Sequence, residues 1–437
     1  MPRARSTRVA VANVGCKLNQ HETEALMDCF GRRGFEVVGP DEPADVVVVN
    51  TCTVTGSGDA DSRRAVRRAR RRNPAAAVVA TGCYAQRRPD ELRAAGADVV
   101  VGNEAKSQLV EHLEAHLRGE PLPALAPFPP AERFMSIEGA VPLGRTRGTL
   151  KIQDGCDEHC TYCIIPSVRG PGVSRPAAEV VDQARRMVEL GYRELALTGV
   201  HSGSYGADRG DAEGLARLLE RLEQVPGLER IRLNSVEPGS VTDALIEHAA
   251  ASPRFCRHFH VPLQSGHDEV LRRMGRRHGR AHYAERIARI AERIPDCAIG
   301  ADVMVGFPGE DEEHFAATRD LVGELPLTYL HVFSYSRRDG TPATRLRGQV
   351  SGPARSERSR QLVALGHAKR LAFHRRHLGR TVRVLVEDRT DGASGLRVGL
   401  TDNYIKVLFS APAPVNGFVD LRVSQAREDV VFGEAAP

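Results

Sequence analysis

With 437 residues, 41% of them hydrophobic, and a formal net charge of +5, the chain is long enough for about two to four domains with real cores. The charge permits a nucleic-acid partner without demanding one, and no apolar run approaches the ~18 residues of a spanning helix, so no membrane partner is expected. The start, MPRARSTRVAVANVGC, has neither a long apolar stretch nor a cleavage signature, which predicts a cytoplasmic protein; there, nine cysteines, an odd number, argue against a disulfide framework and point to metal or redox use.

Taken in chain order, residues 8–120 alternate strands with helical patterns. RVAVANV (8–14) ends at Gly15-Cys16, DVVVVN (45–50) at Thr51-Cys52, AVVAT (77–81) at Gly82-Cys83, and DVVVG (98–102) follows. This βαβ repetition predicts a parallel sheet, whose ligands sit beyond the carboxyl ends of the strands. Cys16, Cys52 and Cys83 each fall just past a strand end, where they can converge. A proline-rich linker is expected over 121–141. Six strand candidates follow, at 149–153, 194–198, 231–236, 258–264, 299–306 and 328–336, with amphipathic helices between them. Six β/α units are two short of a closed eight-fold barrel, and an open parallel sheet fits the same periodicity. Residues 353–378 read as one helix. Beyond about residue 380, TVRVLVE, YIKVLF and GFVDLRVSQ are short strands between turns, which predicts a small antiparallel barrel.

The loop CDEHCTYC places Cys156, Cys160 and Cys163 within eight residues, just after the first strand of the barrel-like region. A closed zinc site wants four ligands, and no histidine or fourth cysteine stands at finger spacing; His159 lies inside the loop. A cubane iron–sulfur cluster takes four thiolates, so three leave one iron with an open position. The later strands end in LTGVHSGSYG (197–206), NSVEPGS (234–240), PLQSG (262–266), GFPGE (306–310) and YSRRDGTP (335–342), glycine and polar motifs that let a ligand approach the backbone.

CxxxCxxC after a first strand, with the aromatic Tyr162 before its last cysteine, resembles the radical S-adenosylmethionine (SAM) superfamily. The resemblance implies that the open iron chelates SAM. It also implies SAM contacts at Tyr162, at Thr198 and Gly199 (LTGV standing where the superfamily's GGE motif would), at Glu237 and Gln264, and at Gly306 and Pro308 of the adenine-side loop GFPGE. Cys16, Cys52 and Cys83, about 30 to 36 residues apart, are either buried structural cysteines or ligands of a second open-iron cluster. Over nearly the whole chain the pattern resembles the methylthiotransferases. That implies an N-terminal domain with an auxiliary cluster (6–120), a radical SAM domain (142–372) built as a partial (β/α)6 barrel, and an RNA-binding TRAM-like barrel (376–437), to which GLRVGLTDNYIKVLF (395–409) belongs. Two [4Fe-4S] clusters, SAM, tRNA and an external electron donor are the implied cofactors and partners.

GCKLNQHETEAL around Cys16, with NTCTVT and TGCYAQ, resembles the bacterial branch acting on N6-threonylcarbamoyladenosine of tRNA. The isopentenyladenosine branch more often reads GCQMN and the ribosomal-protein branch GCPKN. The implied reaction places a methylthio group on C2 of the modified adenine at position 37, a C–H bond inert to polar attack. A non-catalytic iron–sulfur protein that binds RNA or carries electrons is the reading from another class. Cys29, Cys256 and Cys297 are assigned to packing, as are His258 and His260, and no catalytic constellation is legible among the 16 histidines. The helix RRAVRRARRR (63–72) buries Ala65, Val66 and Ala69 and offers its arginines to solvent or phosphate.

Overall fold

A computed structural model describes residues 6–121, 134–139 and 146–435; most of the expected 121–141 linker lies outside these. Three parts follow one another along the chain. The first is a sheet of β1 (Arg8–Asn13), β2 (Glu36–Val38), β3 (Val46–Thr51), β4 (Ala77–Gly82) and β5 (Val99–Val101), in the spatial order β2-β1-β3-β4-β5 and parallel throughout. All six residues of β3 are buried, as expected of a valine-rich strand covered on both faces. The register pairs Asn13 with Asn50 and Asn50 with Thr81, so β1, β3 and β4 end level with one another. The three cysteines that follow those strands therefore leave one edge of the sheet side by side. The helices are α1 (Lys17–Arg32), α2 (Gly56–Arg72), α3 (Cys83–Arg87), α4 (Pro89–Ala94) and α5 (Leu109–Leu117). As expected, α2 buries Ala65, Val66 and Ala69.

The second part carries β6 (Arg147–Lys151), a short ribbon of β7 (Gln153–Asp154) with β8 (Val173–Ser174), then β9 (Glu194–Thr198), β10 (Arg230–Leu233), β11 (His258–His260), β12 (Ala298–Val305) and β13 (Tyr329–Ser334). Two parallel sheets, β10-β9-β6 and β11-β12-β13, meet through a single bridge between Ile231 and Phe255. The result is the expected six-stranded partial barrel. Helix α6 (Ile165–Arg169) follows the cysteine loop; α7 (Ala177–Glu189), α8 (Gly214–Glu223), α9 (Asp243–Ala251), α10 (Asp268–Arg273), α11 (Arg280–Arg293) and α12 (Glu312–Glu324) alternate with the later strands. Leu150, Leu197, Ile231, Phe259, Ile299 and Val303 anchor the shared core. Part of the linker region is docked: Ile137 exchanges two hydrogen bonds with the Gln183 side chain, and the N–H groups of Glu138 and Gly139 donate to Asp28 of α1.

Helix α13 (Gly352–Arg375) leads to a closed barrel of β14 (Thr381–Thr390), β15 (Arg397–Thr401), β16 (Lys406–Phe409), β17 (Phe418–Ala426) and β18 (Val431–Ala435). Two of its strands, β15 and β18, go beyond the three expected from alternation, and β16 pairs with β18 in parallel rather than antiparallel. The barrel is clamped to the second part. Arg232 donates to the carbonyls of Asp402 and Thr401 at 2.9 and 3.0 Å, and Arg230 to those of Leu400 and Arg383 at 3.0 and 2.7 Å. Tyr404, at φ 66°, sets its ring 4.5 Å from that of His258. Among the described residues no helix is long and apolar enough to cross a membrane.

Helix α1 is buried nearly all round, including Asn19, His21, Glu22, Thr23, Glu24 and Asp28. A helix with polar residues on every buried side lies between two bodies, and here these are its own sheet and β6. His21 donates its Nδ1–H to the Thr149 carbonyl at 2.8 Å, and burial holds the ring neutral, with its pKa lowered to about 4. The unfolded ring takes a proton near pH 6.5 and the folded one does not. Native stability attributable to His21 is therefore present above that pH and is lost as pH falls from there toward about 4, by up to about 3 kcal/mol. His21→Asn is expected to flatten the fall in urea midpoint between neutral pH and pH 5; an unchanged slope would contradict this placement.

Candidate functional site

The cysteines fall into two groups. Cys16, Cys52 and Cys83 come together at the carboxyl edge of the first sheet. Gly15, at φ 105°, lies so close to Cys52 that an added Cβ would sit 2.5 Å from the Cys52 Cβ and 2.8 Å from its sulfur. Only glycine gives the chain that φ and that approach. Burial pushes the Cys52 thiol up to about 11 against a backbone donor at Val54, with Cys16 and Cys83 adding to the rise. Cys16 keeps an exposed surface in a crevice while protein crowds its sulfur; its pKa is raised by that crowding, with Arg169 acting against the rise.

Cys156, Cys160 and Cys163 occupy the loop between β7 and β8. The loop is pinned by hydrogen bonds from Cys156 N–H to the Gly170 carbonyl, Thr161 N–H to Met274 and Ala343 N–H to Thr161. Cys156 accepts from the Glu158 N–H at 3.4 Å, and Cys160 from Arg276 at 3.5 Å. Arg276 is also ion-paired with Glu237. Burial raises Cys156 to about 11 and Cys163 to about 12. Buried thiols that titrate so high are poor nucleophiles and become thiolates when a metal takes the proton's place.

The two groups touch. Cys83 packs with Ile164 and Val168, which follow Cys163, in a small apolar cluster. Beneath them lies a buried charge network that crosses the domain boundary. Arg169 donates to the Cys83 sulfur at 3.2 Å, to Glu22 at 2.8 Å, to Asp154 at 3.0 Å and to the Asn19 oxygen at 3.0 Å. Lys151 reaches Glu22 at 2.9 Å and Asp154 at 2.8 Å, and Lys106 is ion-paired with Glu22. Burial alone would raise the Glu22 carboxyl, yet Arg169, Lys106 and Lys151 hold it well below the usual carboxylate range. Among the described residues of this network Arg169, Lys106 and Lys151 face Glu22 and Asp154. Arg169 turns its charge on Cys83, which suits sulfur bound as thiolate.

Both groups fit iron–sulfur ligation. Among the described residues only His260, Asp302 and His331 bring three candidate ligand atoms within 4.8 Å of one another. Neither cysteine trio is that tight, so each is spread wider than one tetrahedral ion requires. A cubane is the larger body that three spread thiolates hold.

The expected SAM contacts lie around the second group. The Tyr162 ring meets Phe307 edge-on at 6.3 Å, which brings the Gly306–Pro308 loop against the cysteine loop. Pro308 is buried in that turn. The bare face of Gly306 is taken by Arg355 of α13, where an added Cβ would meet Cγ at 2.2 Å, and its N–H donates to Glu310 at 2.8 Å. The Thr198 carbonyl accepts from Ile152, and Gly199 lies on Gln153. Glu237 faces Cys160 through Arg276. Gln264, held at φ 65°, has a buried side-chain oxygen with no hydrogen-bond partner among the described residues. A strained residue with an orphaned acceptor fits a ligand that supplies a donor.

Several residues escaped the sequence. Arg169, Glu22, Lys106, Lys151, Asp154 and Arg276 were not singled out, although a lysine inside the strand TLKIQ was a visible irregularity. Histidines 260 and 331 flank Asp302 at 2.9 and 3.3 Å, a constellation that the sequence did not disclose. His258 and His260 are buried as expected, and both hydrogen-bond to the Tyr329 hydroxyl. Arg169→Met would leave Glu22 and Asp154 short of a cation. A loss of about 3–5 kcal/mol in urea unfolding of anaerobically handled protein is expected, only partly restored in Arg169→Lys, because an ammonium cannot span the same acceptors.

Residues 150–322 match the Radical SAM superfamily, residues 8–102 the Uncharacterized protein family UPF0004, and residues 375–436 the TRAM domain. The Threonylcarbamoyladenosine tRNA methylthiotransferase MtaB of Bacillus subtilis (strain 168) is 38% identical over 94% of this chain and 92% of that protein. The tRNA-2-methylthio-N(6)-dimethylallyladenosine synthase of Sphingopyxis alaskensis is 36% identical over 95% of each. In fold, the chain is similar to the radical S-adenosylmethionine methyltransferase TsrM from Kitasatospora setae, solved with cobalamin and a [4Fe-4S] cluster. The TM-score is 0.57 at 18% identity, covering 78% of this chain and 77% of that one.

Proposed function

The chain belongs to the radical SAM methylthiotransferase family, and from that membership and its two cysteine groups we propose that it transfers a methylthio group to C2 of N6-threonylcarbamoyladenosine at position 37 of tRNA. The observation that carries the reading is the contact of Cys83 with Ile164 and Val168, beside Cys163. Two thiolate sites in apolar contact serve a reaction in which a substrate activated at one meets sulfur held at the other.

In this reading Cys156, Cys160 and Cys163 hold the [4Fe-4S] cluster that works with SAM, and Cys16, Cys52 and Cys83 hold a second one. What supports the second cluster is the level ending of β1, β3 and β4 and the hydrogen bond from Arg169 to the Cys83 sulfur. With SAM bound, the reduced cluster supplies a 5′-deoxyadenosyl radical able to take hydrogen from an unactivated C–H bond. The chain's own residues do the rest. Tyr162, Thr198, Gly199, Glu237, Gln264, Gly306 and Pro308 bind and orient SAM, with Arg276 fixing Glu237 beside Cys160. Ile164 and Val168 exclude water between the two sites. Arg169 holds Cys83 in place. The closed C-terminal barrel binds the tRNA, an external donor supplies the electron, and the protein works in the cytoplasm. The domains divide at 6–120, 142–372 and 376–437.

Anaerobic reconstitution tests the assignment. Cys156→Ala, Cys160→Ala and Cys163→Ala together are expected to abolish 5′-deoxyadenosine formation with dithionite and SAM and to remove about half the iron. Cys16→Ala, Cys52→Ala and Cys83→Ala together should remove the other half; full iron in that variant would refute the second cluster. Nucleoside analysis of tRNA from a deletion strain should lose 2-methylthio-N6-threonylcarbamoyladenosine. Loss of the dimethylallyl product instead would move the chain to the branch of its Sphingopyxis relative, and loss of neither to a ribosomal-protein substrate or a non-catalytic role.

A further inference from the structure

We infer that Lys17 is a specificity-determining residue that holds the carboxylate of the threonylcarbamoyl group; the inference rests on the reading of the substrate given above. The two kinds of relative differ in the charge of what hangs from N6. A dimethylallyl group is a neutral hydrocarbon, whereas a threonylcarbamoyl group ends in a carboxylate, ionised at neutral pH. An enzyme for the second gains by offering a cation near the reacting base, because a substrate without the carboxylate forfeits that contact.

Lys17 stands where all three parts of the molecule meet. It directly follows Cys16 at the start of α1, its Nζ donates to Asn234 at the end of β10 at 3.2 Å, and it lies 5.7 Å over the Tyr404 ring of the C-terminal barrel. Each neighbouring arginine has a carboxylate in reach, although Arg147 and Arg389 share one. Arg232, which shares the Tyr404 ring, is paired with Glu194 at 2.7 Å, and Glu387 is divided between Arg147 at 3.0 Å and Arg389 at 2.6 Å. Lys17 has no carboxylate in ion-pair contact among the described residues; it hydrogen-bonds to the neutral Asn234 amide and to Tyr404. It opens onto a crevice of about 290 Å³, lined also by Gln20, Thr146, Thr149 and Arg389 and by the carboxylates Glu387 and Asp388. An unmatched cation beside a ligand cysteine, with room in front of it and hydroxyl and amide groups around it, is complementary to an anionic, hydroxyl-bearing substituent.

The test is binding of anticodon stem-loop RNAs to the reconstituted holoenzyme without reductant. Three RNAs are compared, carrying N6-threonylcarbamoyladenosine, its threonyl methyl ester, and dimethylallyladenosine. Lys17→Gln is expected to raise Kd for the first by about ten- to a hundredfold, the span of one charged hydrogen bond, and to leave the other two within about twofold. Lys17→Arg should keep the preference, and unchanged iron content in both variants shows that the clusters are intact. Equal weakening of all three RNAs, or of none, overturns the inference even where the wild-type enzyme methylthiolates the threonylcarbamoyl RNA. A wild-type enzyme that converts only the dimethylallyl RNA overturns the substrate reading itself, and the inference with it.

Discussion

The arrangement depends on one buried carboxylate. Glu22 sits in α1 and receives Lys106, Lys151 and Arg169, groups that come from three further stretches of chain. Taking five charges from water is costly, and the cost is offset only when all of them are in place and hydrogen-bonded. A network of this kind adds little net stability over an apolar filling. It is, however, intolerant of displacement, because a shift of one member strands the others. Glu22 therefore acts as a geometric pin: it fixes α1 against β6 and α6 against α3, and so fixes one cysteine group relative to the other.

Around that pin the fold is economical. A parallel sheet delivers three loops at one edge because β1, β3 and β4 are neighbours and end level. The partial barrel delivers a single loop bearing all three of its cysteines, held by the ribbon of β7 and β8. One group is assembled from far-separated positions and the other from eight consecutive residues, yet both place sulfur at the carboxyl end of parallel strands, where backbone is free to turn and ligands collect. Ile164 and Val168 belong to the cysteine loop's own continuation, so the apolar seal between the groups comes with the loop itself.

Much of this was legible in the chain. Runs of valine ending in Gly-Cys or Thr-Cys announce a buried strand and its loop together, and the crowding of three cysteines in CDEHCTYC needs no tertiary information to be seen. The charge network was illegible for a plain reason: Glu22 and Arg169 are 147 residues apart, and each looks like an ordinary charged residue on a helix. The group of His260, Asp302 and His331 draws on three strands for the same reason. The short edge strand β2 carries too little alternation to register. Gly306 has a cause that the sequence does not disclose: its bare face admits Arg355 of α13. The linker was read from composition alone, which cannot see that Asp28 and Gln183 tie residues 137–139 down.

The clamp between Arg230, Arg232 and the backbone of the C-terminal barrel has a mechanical meaning for any RNA it grips. Four hydrogen bonds to main-chain carbonyls, with Tyr404 wedged against His258, leave that barrel little freedom to swing as a tethered arm. Enzyme and handle move as one piece. The distortion needed to bring a stacked base down to the sulfur must then fall on the nucleic acid, whose loop has to splay the nucleotide outward.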